Sequence, residues 1–241
     1  MPAIGGKHEF KNGAWTFHPT DGFVLDANTE ISGKANVGAM YLSSGTNTVM
    51  ICDVKVQGNL DVKSDGYMSA VYGGIGGTAT YAGEAYTPFH KNTVAFGTGH
   101  GGQNAHIGLQ NLTYGSFFDP ILPGTPAGHA DYRYVGSGVI KLEVAGVLNV
   151  DGKIQSCAGW DGQYWSDRPS APGSVNITAA QLSGSGSVRA DGAAGYVGTY
   201  PKSGWEAQGP SGGGRVAVRL TGSGSTIPDS LFANITAKGA S

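Results

Sequence analysis

The chain has 241 residues, of which 42 are glycine, and only 13% of the residues are charged. The glycines follow no G-X-Y period, which excludes collagen, and the 11 Tyr, 8 Phe and 4 Trp argue against a disordered chain. The formal net charge of −2 offers no electrostatic footprint for nucleic acid or an anionic membrane, and no apolar run is long enough to span a bilayer.

The first segment, residues 1–47, contains the short strand candidates AWTFH, GFVLDA, TEISG and NVGAMYL, which we expect to form the first coils and an N-terminal cap. No charged segment followed by an apolar one opens the chain, so no secretory signal is predicted. A mature or excised domain, export by another route and a viral structural protein all remain open. Low Lys and Glu with abundant Gly, Ser, Thr and Asn favours an extracellular, cell-surface or virion-surface location.

A degenerate phrase then recurs along the chain. Residues 54–68 read VKVQGNLDVKSDGYM, residues 142–159 read LEVAGVLNVDGKIQSCAG and residues 176–195 read NITAAQLSGSGSVRADGAAG. Each segment contains a strand of alternating apolar residues, a corner of small residues, a second strand and an end that contains glycine. One such segment cannot bury its apolar face alone. This pattern predicts a solenoid that stacks one coil on the next.

We therefore predict an all-β fold, a right-handed parallel β-helix forming a single domain over residues 1–241, with almost no helix. A long loop excursion occupies residues 73–134 and regular coils occupy 136–241, with further loops at 160–172 and 196–211. Glycines at the corners, including those of the Asp-Gly pairs, are predicted to supply positive φ. The predicted interior columns contain Leu60, Leu148, Leu182, Val150, Ile154 and Val188.

These segments also resemble a known family. SGVIKLEVAGVLNVDGKIQSCAG, GSVNITAAQLSGSGSVRADGAAG and GGGRVAVRL, in that order with Gly-rich loops between them, resemble the glycine-rich parallel β-helix repeats of extracellular adhesin-like proteins, a pectate-lyase-like solenoid architecture. The upstream stretch GTGHGGQNAHIG and LTYGSFFDP resembles the loops that precede those repeats. The resemblance covers roughly 97–119 and 136–220. It implies the fold and no particular reaction.

The chain departs from that family in its loops, where aromatic and charged residues replace plain glycine. We predict a ligand-binding surface from Tyr132, Tyr134, Trp160, Tyr164, Trp165, Tyr200 and Trp205, because loops at one place in each coil emerge along one side. Rings beside polar side chains suit sugar, although packing onto the solenoid and protein contact remain open. Catalytic candidates are Asp161, Asp167, Arg168 and Glu206, since paired carboxylates or a cationic base act on polysaccharides.

No cofactor or metal is predicted. His90, His100, His106 and His129 share the long excursion without ligand spacing, and Cys52 and Cys157 are interpreted as free thiols or one disulfide. The leading hypothesis is a non-enzymatic module for adhesion or glycan recognition on a rigid rod. The alternatives are a small polysaccharide lyase or glycoside hydrolase and a subunit that self-associates through its terminal coils. No nucleic-acid partner is expected.

Overall fold

The computed structural model describes residues 28–31, 51–70, 100–101, 113–124, 136–158, 171–194 and 211–240, with further strand segments at 3–4, 8–10, 15–17, 23–25, 34–37, 85–86 and 91–92. In chain order the strands are β1 (Ala3–Ile4), β2 (His8–Phe10), β3 (Trp15–Phe17), β4 (Phe23–Leu25), β5 (Thr29–Ile31), β6 (Lys34–Val37), β7 (Ile51–Val56), β8 (Leu60–Val62), β9 (Tyr67–Ser69), β10 (Ala85–Tyr86), β11 (Lys91–Asn92), β12 (Val139–Val150), β13 (Lys153–Gln155), β14 (Ser174–Ser183), β15 (Ser187–Arg189), β16 (Arg215–Leu220) and β17 (Ile235–Thr236). A single four-residue helix within these ranges, α1 (Asp229–Phe232), precedes the last strand.

The strands pair in three parallel ribbons. Ribbon 1 has the order β1, β4, β7, first half of β12, first half of β14, β16. Ribbon 2 has the order β2, β5, β8, second half of β12, second half of β14. Ribbon 3 has the order β3, β6, β9, β13, β15, β17. The chain visits the ribbons in turn and then returns to ribbon 1, except that the last described pass goes from β16 through α1 to β17 on ribbon 3. β10 and β11 form a separate antiparallel pair.

Ribbons 1 and 2 meet at a corner built from asparagine and small residues. The register between β12 and β14 shifts between Val144 and Val147. There the side-chain oxygen of Asn59 accepts the N–H of Val147 at 2.8 Å, and that of Asn28 accepts the N–H of Asn59 at 2.8 Å. Stacked asparagines thus satisfy backbone donors that the strand ladder leaves at the corner.

The described residues form an apolar cluster in the interior, to which all three ribbons contribute. Leu60, Leu148 and Leu182 lie in register on neighbouring strands and are buried. Ile154 pairs with Val188 on ribbon 3, and both are fully buried. Each such side chain contributes roughly 1.5–3 kcal/mol by leaving water. The predicted leucine column is therefore present, while the closed right-handed coil stays a prediction.

The glycines at two corners have a different role from the predicted one. Neither Gly152 nor Gly192 adopts the positive φ that the sequence analysis predicted for them. A Cβ atom on Gly152 would lie 2.1 Å from the carbonyl oxygen of Gly66 and 2.2 Å from that of Lys63. Glycine is required here because the neighbouring backbone approaches closely, so the prediction of positive φ is wrong at these positions.

Two aspartates of the Asp-Gly pairs connect successive passes of the chain. The Asp151 carboxylate accepts the N–H of Ser185 at 3.2 Å, and the Asp191 carboxylate accepts the N–H of Lys238 at 2.8 Å. Asp191 also accepts the Thr236 hydroxyl at 2.9 Å. These carboxylates therefore accept hydrogen bonds that stabilise the turns between successive passes. The described residues contain no cluster of potential metal ligands.

Cys157 is a free thiol, so the disulfide alternative is wrong. Its sulfur accepts the N–H of Asp191 at 3.4 Å. Burial raises the pKa of the thiol, although the hydrogen bond from the Asp191 amide opposes this in part. The side chain of Cys52 lies outside the described residues. Among the residues that the structure describes, no helix has the length and hydropathy to cross a membrane.

Candidate functional site

Every side chain that the sequence analysis assigned to the ligand-binding surface or to catalysis lies outside the described residues. These are Tyr132, Tyr134, Trp160, Tyr164, Trp165, Tyr200, Trp205, Asp161, Asp167, Arg168 and Glu206. His90, His106 and His129 also lie outside them. The site that the structure does present comes from another part of the long excursion, residues 113–124, which we call the aromatic loop.

The aromatic loop crosses the outer face of ribbon 1. The hydroxyl of Ser174 donates to the carbonyl oxygen of Leu122 at 2.7 Å, and the side-chain amide of Asn176 donates to the Asp119 carboxylate at 2.7 Å. Ser174 and Asn176 lie on the outward side of β14, yet both are buried. The aromatic loop therefore covers β14, and the buried side chains of Ser174 and Asn176 hold the loop in place by hydrogen bonds.

A histidine and an arginine hold the start of the loop. The ring of His100 stacks on that of Tyr114 with centroids 4.4 Å apart, and its Nδ1 lies 2.9 Å from the carbonyl oxygen of Pro172. The Arg215 guanidinium donates to the carbonyl oxygen of Tyr114 at 2.8 Å, and burial lowers its pKa. His100 is itself fully buried. It therefore contributes packing and hydrogen bonding beneath the loop.

At its tip the loop exposes two phenylalanines. Phe117 is 66% exposed and Phe118 is 72% exposed, and their ring centroids lie 4.1 Å apart with the planes tilted by 34°. The hydroxyl oxygen of Ser116 accepts the N–H groups of Phe118 and Asp119 at 3.2 and 3.1 Å, which closes a turn. Exposing two adjacent phenylalanine side chains to water costs free energy. An exposed apolar pair that a hydrogen-bonded turn holds in place is typical of a binding surface.

Arg219 on β16 connects this tip to the ribbon. Its guanidinium donates to the carbonyl oxygen of Phe118 at 3.0 Å and to the Asp119 carboxylate at 3.3 Å. It also donates to the side-chain oxygen of Asn176 at 3.3 Å. The side chains of Arg219 and Asp119 remain about half exposed, at 46% and 59%. Aromatic, cationic and acidic groups thus meet at one exposed point.

A charged cluster lies further along ribbon 1. Glu143 on β12 pairs with Lys55 at 3.1 Å and with Lys141 at 3.3 Å. Partial burial alone would raise the pKa of Glu143, but the hydrogen bonds and charges of the two lysines outweigh this effect and lower it. The carboxylate is therefore ionised, and it fixes two ammonium groups on the same face.

The aromatic loop carries side chains suited to binding a ligand. Two apolar rings, a guanidinium and a carboxylate provide stacking and hydrogen bonding, and the described residues hold no cluster of metal ligands. Sequence reasoning did not single out Phe117 and Phe118, because LTYGSFFDP was read only for its family resemblance. The available signal was a pair of adjacent phenylalanines between Ser116 and the Asp119-Pro120 turn, outside any alternating strand.

The chain matches none of the protein-family models, curated proteins or solved structures with which it was compared.

Proposed function

We propose that the chain is a non-enzymatic recognition module of an extracellular, cell or virion surface, in which a rigid β-helical rod presents the aromatic loop to a glycan. The observation that carries this proposal is the exposed Phe117–Phe118 pair, which is braced by Ser116 and anchored on ribbon 1. Pyranose rings offer apolar C–H faces that pack on aromatic rings, and hydroxyl groups that pair with Arg219 and Asp119.

The rod is proposed to be a right-handed parallel β-helix whose three faces are the three ribbons. Three features support it: the cyclic order in which the chain visits the ribbons, the parallel pairing within each ribbon and the apolar cluster of described residues to which all three ribbons contribute. A right-handed crossover between parallel strands is the strong general preference. Such a stack holds a loop at a fixed place, which reduces the entropy lost on binding.

The test is binding of the whole chain to a glycan array, followed by titration of the best ligand with Phe117→Ala and Phe118→Ala. We expect each substitution to weaken binding by about tenfold or more, since buried aromatic contacts dominate such interfaces. Phe232→Ala is the matched control because Phe232 is equally exposed, at 65%, but lies on α1. Equal losses for all three variants, or no array ligand, would contradict the proposal.

Two further variants separate the aromatic loop from the surface predicted from the sequence. Trp165→Ala and Trp205→Ala remove two of the predicted ligand-binding rings. Binding that is lost with these variants and kept with Phe117→Ala would move the glycan site to the other loops. Release of reducing ends or of unsaturated sugars from a polysaccharide would instead favour the lyase or hydrolase alternative with Asp161, Asp167, Arg168 or Glu206.

A second candidate function is assembly end to end. Among the described strands, β16 pairs only with β14 and β17 only with β15. Val216, Val218, Leu220 and Ile235 on these two strands are only partly buried against the core. The last strands thus offer apolar side chains and a parallel edge that the first strands of a second copy would extend with the same polarity. Sedimentation over a range of concentrations tests this, and a strict monomer throughout would exclude it.

A further inference from the structure

The outer faces of ribbons 1 and 2 differ in charge. The described side chains on ribbon 1 and its aromatic loop include four cations and two anions, namely Lys55, Lys141, Arg215, Arg219, Asp119 and Glu143. On ribbon 2 and its end, the described charged side chains include the cation Lys63, which pairs with Glu30 and Asp61. They also include a third anion, Asp151, which accepts a hydrogen bond from Asn149. Asp53, the register partner of Lys141, is a third acidic residue in this sequence region and leaves four basic residues against three. The exposed phenylalanines therefore lie on the more cationic of these two faces.

The polar side chains on ribbon 1 form a row that begins at the aromatic loop. Arg219 on β16 is in register with Thr178 on β14, Thr178 with Glu143 on β12, and Glu143 with Lys55 on β7. Parallel strands lie ~4.8 Å apart, so three steps carry this row about 14 Å across the strands. The row therefore provides a track for an elongated ligand that starts at the phenylalanine pair.

Lys141 adds a third cation, beside the Arg219 and Lys55 of this row. It is in register with Asn176, which the aromatic loop covers, so Lys141 lies on the next strand beyond the loop. Glu143 bonds to both Lys141 and Lys55 and so holds the two ammonium groups on the outer face. A ligand leaving the loop along the row meets these cations in succession.

We infer that the ligand of the aromatic loop is an anionic polysaccharide, one that carries carboxylates or sulfates, laid along this row across the strands. This inference rests on the proposed glycan function. Each sugar of an extended chain covers about one strand spacing, so successive sugars meet successive strands. The rings of Phe117 and Phe118 pack on one sugar, while Arg219, Lys141 and Lys55 attract the acidic groups.

The test compares an alginate hexasaccharide with its methyl ester, in which the same sugars have lost their charge. Titration of the full-length chain should show about tenfold tighter binding of the acid, with an affinity that falls as salt rises. Lys55→Gln with Lys141→Gln should weaken alginate binding by about tenfold and leave binding of the ester unchanged. Lys63→Gln, which removes a cation of ribbon 2, is the matched control and should change neither.

The outcomes separate the two proposals. Equal affinity for the acid and its ester would overturn the anionic inference and leave glycan recognition standing. Binding of a single-stranded oligonucleotide as tight as that of alginate would also overturn it, since the site would then select charge without sugar. Absence of any glycan ligand on the array, or unchanged binding of the best ligand by both Phe117→Ala and Phe118→Ala, would reject the proposed function itself.

Discussion

The substitution Gly152→Ala tests how closely neighbouring strands approach at the corner between ribbons 2 and 3. The added methyl group would lie 2.1 and 2.2 Å from two backbone oxygens of the preceding pass, far inside contact distance. Relief requires that Gly66 and its neighbours move away. That movement breaks the hydrogen bonds from the Gly66 N–H to the Lys63 oxygen (2.7 Å), from the Lys153 N–H to the Gly66 oxygen (3.0 Å) and from the Gly152 N–H to the Val62 oxygen (3.0 Å).

Three backbone hydrogen bonds at about 1 kcal/mol each predict a loss of about 3 kcal/mol in the free energy of unfolding. For a chain of this length that corresponds to a fall in Tm of about 6–12 °C. Urea unfolding and a thermal melt followed by circular dichroism measure both quantities. Gly239→Ala is the control because its nearest neighbour would be 3.6 Å from the new methyl group. A stability change for Gly152→Ala as small as that of the control would refute the close approach.

Three further substitutions or reactions test other parts of the structure. Leu148→Ala removes a fully buried side chain from the leucine column and should cost about 2–5 kcal/mol in urea unfolding; a cost below that of an exposed substitution would place Leu148 outside the core. Asn176→Ala deletes the 2.7 Å bond to Asp119, which should cost about 1.5–3 kcal/mol and speed chymotrypsin cleavage at the aromatic loop; an unchanged cleavage rate would show that the loop is held elsewhere. In a Cys52→Ser background, Cys157 should react with iodoacetamide more slowly at neutral pH than a small free thiol, because burial raises the pKa of Cys157 and disfavours the reactive thiolate. The labelling rate should rise at alkaline pH. Fast labelling at neutral pH would contradict the burial of Cys157.

Sequence reasoning identified the repeat because the repeat is a packing pattern. Leu60, Leu148 and Leu182 occupy the same place in three copies of one phrase, and identical local geometry puts them in register. The same reasoning misjudged the corner glycines. A sequence shows where glycine is present, but it does not show why glycine is needed there. The reason can be a positive φ at the glycine itself, or the close approach of backbone from another pass of the chain, as at Gly152.

The candidate site was less accessible to sequence reasoning because it depends on long-range contacts. Arg219 lies 100 positions from Asp119, and Asn176 lies 57 positions from it, yet the three side chains meet on one face. In the sequence, Asn176 occupies a polar position of an alternating strand and is therefore predicted to face outward. Nothing in the neighbouring sequence indicates that a distant loop buries it. The predicted surface around Trp165 and Trp205 stays a prediction, because those residues lie outside the described ranges.

In-register parallel pairing between successive passes of the chain can be measured by cysteine cross-linking in a Cys52→Ser, Cys157→Ser background. Asn149 and Ser183 are register partners whose side chains are hydrogen-bonded at 2.9 Å, and a parallel neighbour at ~4.8 Å lies within the range that a disulfide spans. Asn149→Cys with Ser183→Cys should therefore cross-link rapidly on mild oxidation. Asn149→Cys with Gln181→Cys, one register pair further along the same face, should not. Equal cross-linking of both pairs, or none in the first, would contradict the stacked register on which the proposed rod and the position of the aromatic loop depend.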